Sequence, residues 1–360
     1  MIKEVIIKSF MSHTDLHFKD IPNLNVFVGK NDTGKTGILK LLYSVAKSLE
    51  IYSKKKKTHD SVSFKKELAE KLLSTFMPRN NALGELVHKG SNGKLDVEMR
   101  FVIQKHNYNQ SINFSFGDKT QNSITHGIDT TILNLPEEKN VVALNSLFIP
   151  AKEVLTTLDD IRTIREQEYG RGFDDTYFDL VKALDVRTQS GNLLPELSQV
   201  NRTLEALFEG KIEQTKEPKE AFIFKKGNQR FSMQQTAEGI KKIGILTTLI
   251  NNRQLKTGTI LFMDEPETAL HPSAVRQLVE RLVEMSKANI QIFIATHSYF
   301  VIKQLAICAK RDKVHINCWS LNNESDEDVI LHDLIDGMLP NNSIIDESLE
   351  MYNDDLKVNF

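Results

Sequence analysis

The stretch VGKNDTGKTG, residues 28–37, has the composition and spacing of a loop that holds phosphate. Gly29, Gly34, Lys35 and Thr36 meet the pattern G-x-x-x-x-G-K-[ST], in which glycines let backbone N–H groups close around an anion at the start of a helix. On this reading Gly29, Lys30, Asn31, Asp32, Thr33, Gly34, Lys35, Thr36 and Gly37 form the phosphate cradle. The Lys35 ammonium then offsets β- and γ-phosphate charge, and the Thr36 hydroxyl is a candidate ligand of Mg2+. An ordinary turn is the competing reading. The flanks decide against it, because apolar LNVFVG (24–29) enters the loop as a strand and KTGILKLLYSVAKSL (35–49) leaves it with helical spacing.

Two later stretches carry further candidates. In ILFMDEPETALH (260–271), four apolar residues bring Asp264 to a strand end, where its carboxylate can hold Mg2+ through water. Glu265 comes next, placed to orient a water for attack on a γ-phosphate. In FIATHS (293–298), His297 stands at the mouth of another apolar strand, one strand and one helix after the acids, within reach of the same phosphate if the two strands are neighbours. A weaker candidate is TAEGIKKIG (236–244), a small-residue turn opening a helix, whose Thr236 and Gly239 could meet a phosphate with free N–H groups.

These residues need a scaffold. Residues 2–8, 15–19 and 24–29 read as short strands leading to the loop. Alternating segments from about 95 to 149 suggest an appended antiparallel β subdomain, and 151–215 changes to helical spacing with high charge, a small helical insert. A hairpin with a Gly-Asn turn is expected over 221–232 and a helix from Glu238. The strands at 258–264 and 290–298, separated by a helix over 272–287, are unbroken apolar runs, the mark of parallel strands covered on both faces. The expected division is a core of 1–50 and 220–360, a β-rich part over 51–150 and a helical insert over 151–219.

Bulk composition narrows the class. With 360 residues, 40% apolar and 26% charged, the chain suits a soluble α/β protein of one or two domains, and a net charge of −2 gives no global sign of a nucleic-acid or membrane partner. The run Lys54–Lys57 reads as a solvated loop in preference to a DNA-contacting patch. Cys308 and Cys318 lack metal-ligand spacing and read as buried residues of a reducing compartment. The first residues read as a strand, not a signal peptide, and no run of 18 apolar residues exists, so a cytoplasmic location without membrane contact is expected.

In this order the motifs resemble the ABC ATPase superfamily over about 1–50 and 220–305: GKNDTGKT is similar to Walker A, ILFMDEP to Walker B with its catalytic glutamate, TALH to the D-loop and His297 to the switch histidine. TAEG stands in the place of the signature motif but departs from the usual Ser-Gly-Gly form. The resemblance implies a P-loop ABC-type head with a mixed sheet flanked by helices, ATP and Mg2+ as ligands, and Lys35, Glu265 and His297 as catalytic residues. It also implies a homodimer closed around two ATP molecules. The long interval between Lys35 and Asp264 is unlike transporter cassettes and similar to AAA-labelled ATPases of the OLD (overcoming lysogenisation defect) type, including Septu and retron-associated subunits of anti-phage defence. Hence a separately encoded effector, a nuclease, is the expected partner. A RecF- or SMC-like DNA clamp is the alternative. Intrinsic nuclease activity is not expected, because the acids of NNESDEDVILHD (322–333), with Asp326 and Asp328, read as an unstructured acidic loop.

Overall fold

The computed structural model describes residues 1–54, 61–90, 93–103, 108–124, 144–166, 172–188, 191, 193–215, 221–322, 328–340 and 342–359. The chain opens with β1 (Ile2–Phe10), β2 (His13–Phe18) and β3 (Leu24–Val28), and the glycine loop leads into α1 (Lys35–Lys54). Next come α2 (Ser61–Phe76), β4 (Lys94–Ile103), β5 (Tyr108–Gly117) and β6 (Asn145–Ile149). Three helices, α3 (Leu158–Glu166), α4 (Asp175–Asp185) and α5 (Pro195–Ala206), precede β7 (Lys211–Gln214), β8 (Phe222–Lys226), β9 (Gln229–Ser232) and α6 (Glu238–Asn251). The last third alternates: β10 (Thr259–Asp264), α7 (Pro272–Lys287), β11 (Gln291–Thr296), α8 (Tyr299–Asp312), β12 (Ile316–Leu321), β13 (Val329–Asp333) and α9 (Ser343–Asn359).

The central sheet has the order β13-β12-β3-β11-β10-β6 and is parallel except for β13 at one edge. Its five parallel strands are buried on both faces, and alternate side chains divide between two cores. Val26, Leu261, Ile292 and Leu147 join the core beneath α3–α8, whereas Phe27, Phe262, Phe293 and Phe148 join the core beneath α1 and the antiparallel sheet. These four phenylalanines stack across four neighbouring strands at centroid separations of 6.4, 5.2 and 6.4 Å, and Tyr43 of α1 meets Phe148 and Phe262 edge-on. This aromatic row fixes α1, and with it the loop at its N-terminus. Both cysteines are buried and unbridged, as their apolar settings imply.

Strand pairing corrects three expectations. Residues 95–149 do not form one antiparallel unit: β4 and β5 pair with β1 and β2 in the order β2-β1-β4-β5, but β6 lies parallel to β10 in the central sheet. The reason is readable in NSLFI, which is buried at every position and has no solvent face to offer an antiparallel subdomain. The helical insert also contains a strand, β7, which pairs with β8 of the β8–β9 hairpin; Gly227 in that hairpin's turn has φ +57. Third, the acidic stretch 322–333 is only partly a loop, because its β-branched end forms β13 on β12; Asp326 lies outside the described residues, as do Lys55–Lys57.

Between α1, α2 and α4 sits a buried polar cluster. Lys71 donates to Asp175 (2.8 Å) and to Asp179, Tyr43 donates to Asp179 (2.6 Å), and Ser74 to Asp175 (2.7 Å). Burial beside these carboxylates pushes the Tyr43 phenol up, while the two aspartates hold the Lys71 ammonium above its ordinary value. Removing one partner of a buried ion pair leaves the other uncompensated, at about 3–5 kcal/mol. Lys71→Met is accordingly expected to lose that much stability in denaturant unfolding, and Lys71→Met with Asp175→Asn and Asp179→Asn to regain part of it.

Candidate nucleotide site

The loop between β3 and α1 turns sharply: Gly34 has φ +76 and Asp32, without glycine's freedom, φ +65. Lys35 is 7% exposed and folds back over the loop, donating to the carbonyls of Gly29 (2.9 Å) and Lys30 (2.6 Å). Burial lowers its pKa, opposed by Glu265, Asp264 and Glu267. Thr33 donates to the Lys30 carbonyl at 2.9 Å; Lys30, Asn31 and Asp32 are exposed at the rim.

The β1–β2 turn braces the loop from behind. His13, 1% exposed, places Nε2 3.1 Å from the Thr33 carbonyl, and a Cβ on Gly34 would stand 2.6 Å from the same nitrogen. A Cβ on Gly37 would meet Met11 Sδ at 3.0 Å. Asp328 fastens the turn by accepting from Thr14 N (2.7 Å), Thr14 Oγ1 (2.8 Å) and Asp15 N (2.9 Å), so this acid has a structural engagement.

Parallel pairing brings the later candidates to the same edge of the sheet. Thr36, in the first turn of α1, donates to both Asp264 oxygens at 2.9 and 3.1 Å. Asp264 is 8% exposed; burial raises its carboxyl pKa, Thr36 opposes the rise and Glu265 adds to it. Two oxygen donors side by side suit Mg2+, which takes one or two protein ligands and completes its octahedron with phosphate and water. Among the described residues no group of three or more His, Cys, Asp or Glu side chains forms a metal cage without phosphate. Past the strand end, Glu265 Oε1 lies 3.0 Å from His297 Nδ1, so the candidate water-orienting acid and the candidate phosphate-facing histidine are in direct contact.

Thr236 and Gly239 are engaged at another place. The Thr236 hydroxyl donates to the Ser232 carbonyl (2.8 Å), and Gly239 packs so closely on the 268–271 turn that a Cβ there would stand 2.9 Å from the Ala269 carbonyl oxygen. Residues outside the sequence reading also belong to the site. Glu267 accepts from Thr296 at 2.5 Å and its carboxyl is raised by burial; the signal was the third acid of DEPE, two positions beyond Glu265. Lys242 of α6 donates to the Glu265 carbonyl at 2.6 Å, and Lys40, one turn beyond Thr36, pairs with Asp174 at the N-terminus of α4 (2.6 Å). Nearby, burial and the charges of Asp174 and Asp264 push the Tyr177 phenol up to about 12.

A family model described as "AAA domain, putative AbiEii toxin, Type IV TA system" matches residues 24–303. The chain belongs to this family. It carries an AAA domain over most of its length. Among curated proteins, the ATP/GTP phosphatase of Helicobacter pylori is 21% identical over 348 residues, covering 88% of this chain and 90% of that protein. The Old nuclease of Escherichia phage P2 is 46% identical over 48 residues, 13% of this chain and 8% of that protein. Among solved structures, the Smc head bound to the C-winged helix domain of ScpA aligns with a TM-score of 0.54 at 14% identity over 92% of this chain and 98% of that one. The Smc head with an extended coiled coil, bound to the C-terminal domain of ScpA from Pyrococcus furiosus, gives 0.52 at 12% identity over 98% of each. The AAA-family chain thus has the mixed sheet flanked by helices of an SMC head. No described helix of it is long and apolar enough to cross a membrane.

In this AAA-family chain the close fit of Gly34 against His13 yields a test. Gly34→Ala combines a left-handed backbone with a contact under 3 Å, at a cost of about 1–3 kcal/mol. Thermal unfolding is expected to show that loss, and nucleotide titration a weakened affinity.

Proposed function

We propose that the chain binds and hydrolyses Mg2+·ATP, dimerises around two ATP molecules, and acts as a sensor and scaffold controlling a separately encoded effector in anti-phage defence. The observation that carries this reading is the meeting of Thr36 with Asp264 and of Glu265 with His297 beside one phosphate loop. Family membership supports the ATPase part.

Each residue then has a role of its own. The loop N–H groups of residues 29–37 and the Lys35 ammonium hold the triphosphate; Lys35 exchanges its carbonyl partners for phosphate oxygens. Thr36 and Asp264 hold Mg2+, which supplies charge neutralisation at the phosphates when bound. Glu265 orients the attacking water and takes up its proton, while His297 holds the Glu265 carboxylate and faces the γ-phosphate. Thr236 and Gly239, at the N-terminal end of α6, face the partner copy's ATP, so each site is completed across the dimer. The chain acts in the cytoplasm and cuts no DNA itself; its effector, a nuclease, carries that chemistry.

Lys35→Ala removes a charge-assisted contact of about 1.5–3 kcal/mol, so ATP affinity is expected to fall about 10- to 100-fold, together with the ATP-driven dimer read by light scattering. His297→Ala and Glu265→Gln are expected to bind ATP and dimerise normally while turnover falls about 10²-fold or more. Unchanged phosphate release in Glu265→Gln removes that residue from the mechanism. Divalent-metal-dependent cleavage of plasmid DNA by the pure chain would show that the effector role is its own. An effector complex that forms equally well with Lys35→Ala would mean that ATP closes a pre-existing assembly and does not build it.

A further inference from the structure

Glu265 occupies a backbone conformation that its sequence context opposes. Its φ is +44, a left-handed value that is uncommon without glycine, and the next residue is Pro266, which pushes the one before it towards extended conformations. Strain of this kind persists only where surrounding contacts over-determine it. On the N-terminal side the Glu265 N–H donates to the Ala295 carbonyl at 2.9 Å. On the C-terminal side its carbonyl accepts from Thr268 N at 3.2 Å and, at the much shorter 2.6 Å, from the Lys242 ammonium.

Lys242 is unusual for a buried cation. It is 7% exposed, and burial lowers its amine pKa to about 8 against the opposing pull of Glu267, Glu265 and Asp264. Its neighbour Lys241 spends its charge on Glu238 (2.6 Å) and the Thr156 hydroxyl (2.8 Å), with Glu153 at 3.7 Å. Lys242 forms no such ion pair among the described residues; its hydrogen bond goes to one backbone oxygen. The acids around it offset only part of the cost of burying this ammonium, and its hydrogen bond holds the peptide on the C-terminal side of Glu265.

We infer that Lys242 is a positioning residue for the hydrolytic step, holding the Glu265 peptide in its left-handed conformation so that the carboxylate stays against His297. This rests on the reading of Glu265 as the water-orienting residue. Without the ammonium the 265–266 peptide can relax towards the extended form that Pro266 favours, and the carboxylate leaves its place while the phosphate loop, Lys35 and Thr36 stay as they were. Turnover and affinity are therefore expected to separate.

The test is a double-mutant cycle on the full chain, read by steady-state ATPase kinetics, titration with a fluorescent ATP analogue and thermal unfolding. Lys242→Met is expected to lower kcat about tenfold or more with KM and Kd changed less than about threefold. Lys242→Arg, which keeps a charged donor, is expected to recover most of the rate. In the Glu265→Gln background, Lys242→Met is expected to change kcat less than about twofold, because a residue that acts through Glu265 has nothing left to position. A loss of equal factor with and without Glu265, or a folded Lys242→Met with wild-type kcat, would overturn the inference. Should Lys242→Met not fold, Lys242→Gln is read by the same cycle, with coupling to Glu265 supporting the inference and additivity overturning it. Wild-type turnover in Glu265→Gln alone would instead remove the catalytic reading of Glu265, and this inference with it.

Discussion

Because β3, β11 and β10 run parallel in that spatial order, with Val28 opposite Thr296 and Asp264 opposite Ala295, three segments far apart in the chain leave the sheet at one edge. The glycine loop leaves from the end of β3, the acidic turn from the end of β10, and His297 stands just beyond the end of β11. An antiparallel neighbour at any of these positions would send one group to the opposite edge, more than a strand length away. The pairing in turn depends on the buried aromatic row, since Phe27, Phe293, Phe262 and Phe148 occupy one face of four adjacent strands and leave α1 a single apolar surface to lie on.

The edge so assembled is dense in negative charge, and its cations come from elsewhere in the fold. Asp264 and Glu267 have raised carboxyl pKa values because burial penalises their ionised forms, and Glu265 adds to both. Lys35 arrives from the loop and Lys242 from α6, each depressed by burial and each supported by the same three acids. The balance is therefore mutual: burial disfavours the charged forms of Asp264, Lys35 and Lys242, and the opposite charges nearby oppose that penalty. A divalent cation and a triphosphate brought to such a site exchange one set of counter-charges for another, without opening a charged hole in the protein.

The parts of this arrangement that were legible in the sequence are those whose signal is local. Gly29, Gly34, Lys35 and Thr36 announce their loop by spacing, and the unbroken apolar runs ending in Asp264 and before His297 announce buried parallel strands. Those runs also carried the adjacency on which the His297 reading depended, since a strand–helix–strand unit favours neighbouring parallel strands. What escaped has partners distant in sequence. NSLFI read as one of the alternating segments, and only its burial at every position and its pairing with β10 show which sheet it completes. Lys242 looks like any lysine of an amphipathic helix until Glu265, well along the chain, is seen under its ammonium. Glu267 was hidden by its own cluster, because Asp264 and Glu265 already had roles and the third acid drew no reading.

The position of α6 ties the two kinds of contact together. Its first turn is packed on the 268–271 turn through Gly239, where even a methyl group would collide with the Ala269 carbonyl, and its second turn reaches Glu265 through Lys242. Both contacts fall within one short stretch that begins at Glu265, so the helix and the acidic turn cannot shift independently. In a close-packed interior such a pair moves as a unit or not at all. In the proposed dimer, an ATP molecule bound against the N-terminal end of α6 would thus press on the same element that holds the Glu265 peptide, so that a displacement of the helix would bear on the strained backbone that carries the carboxylate.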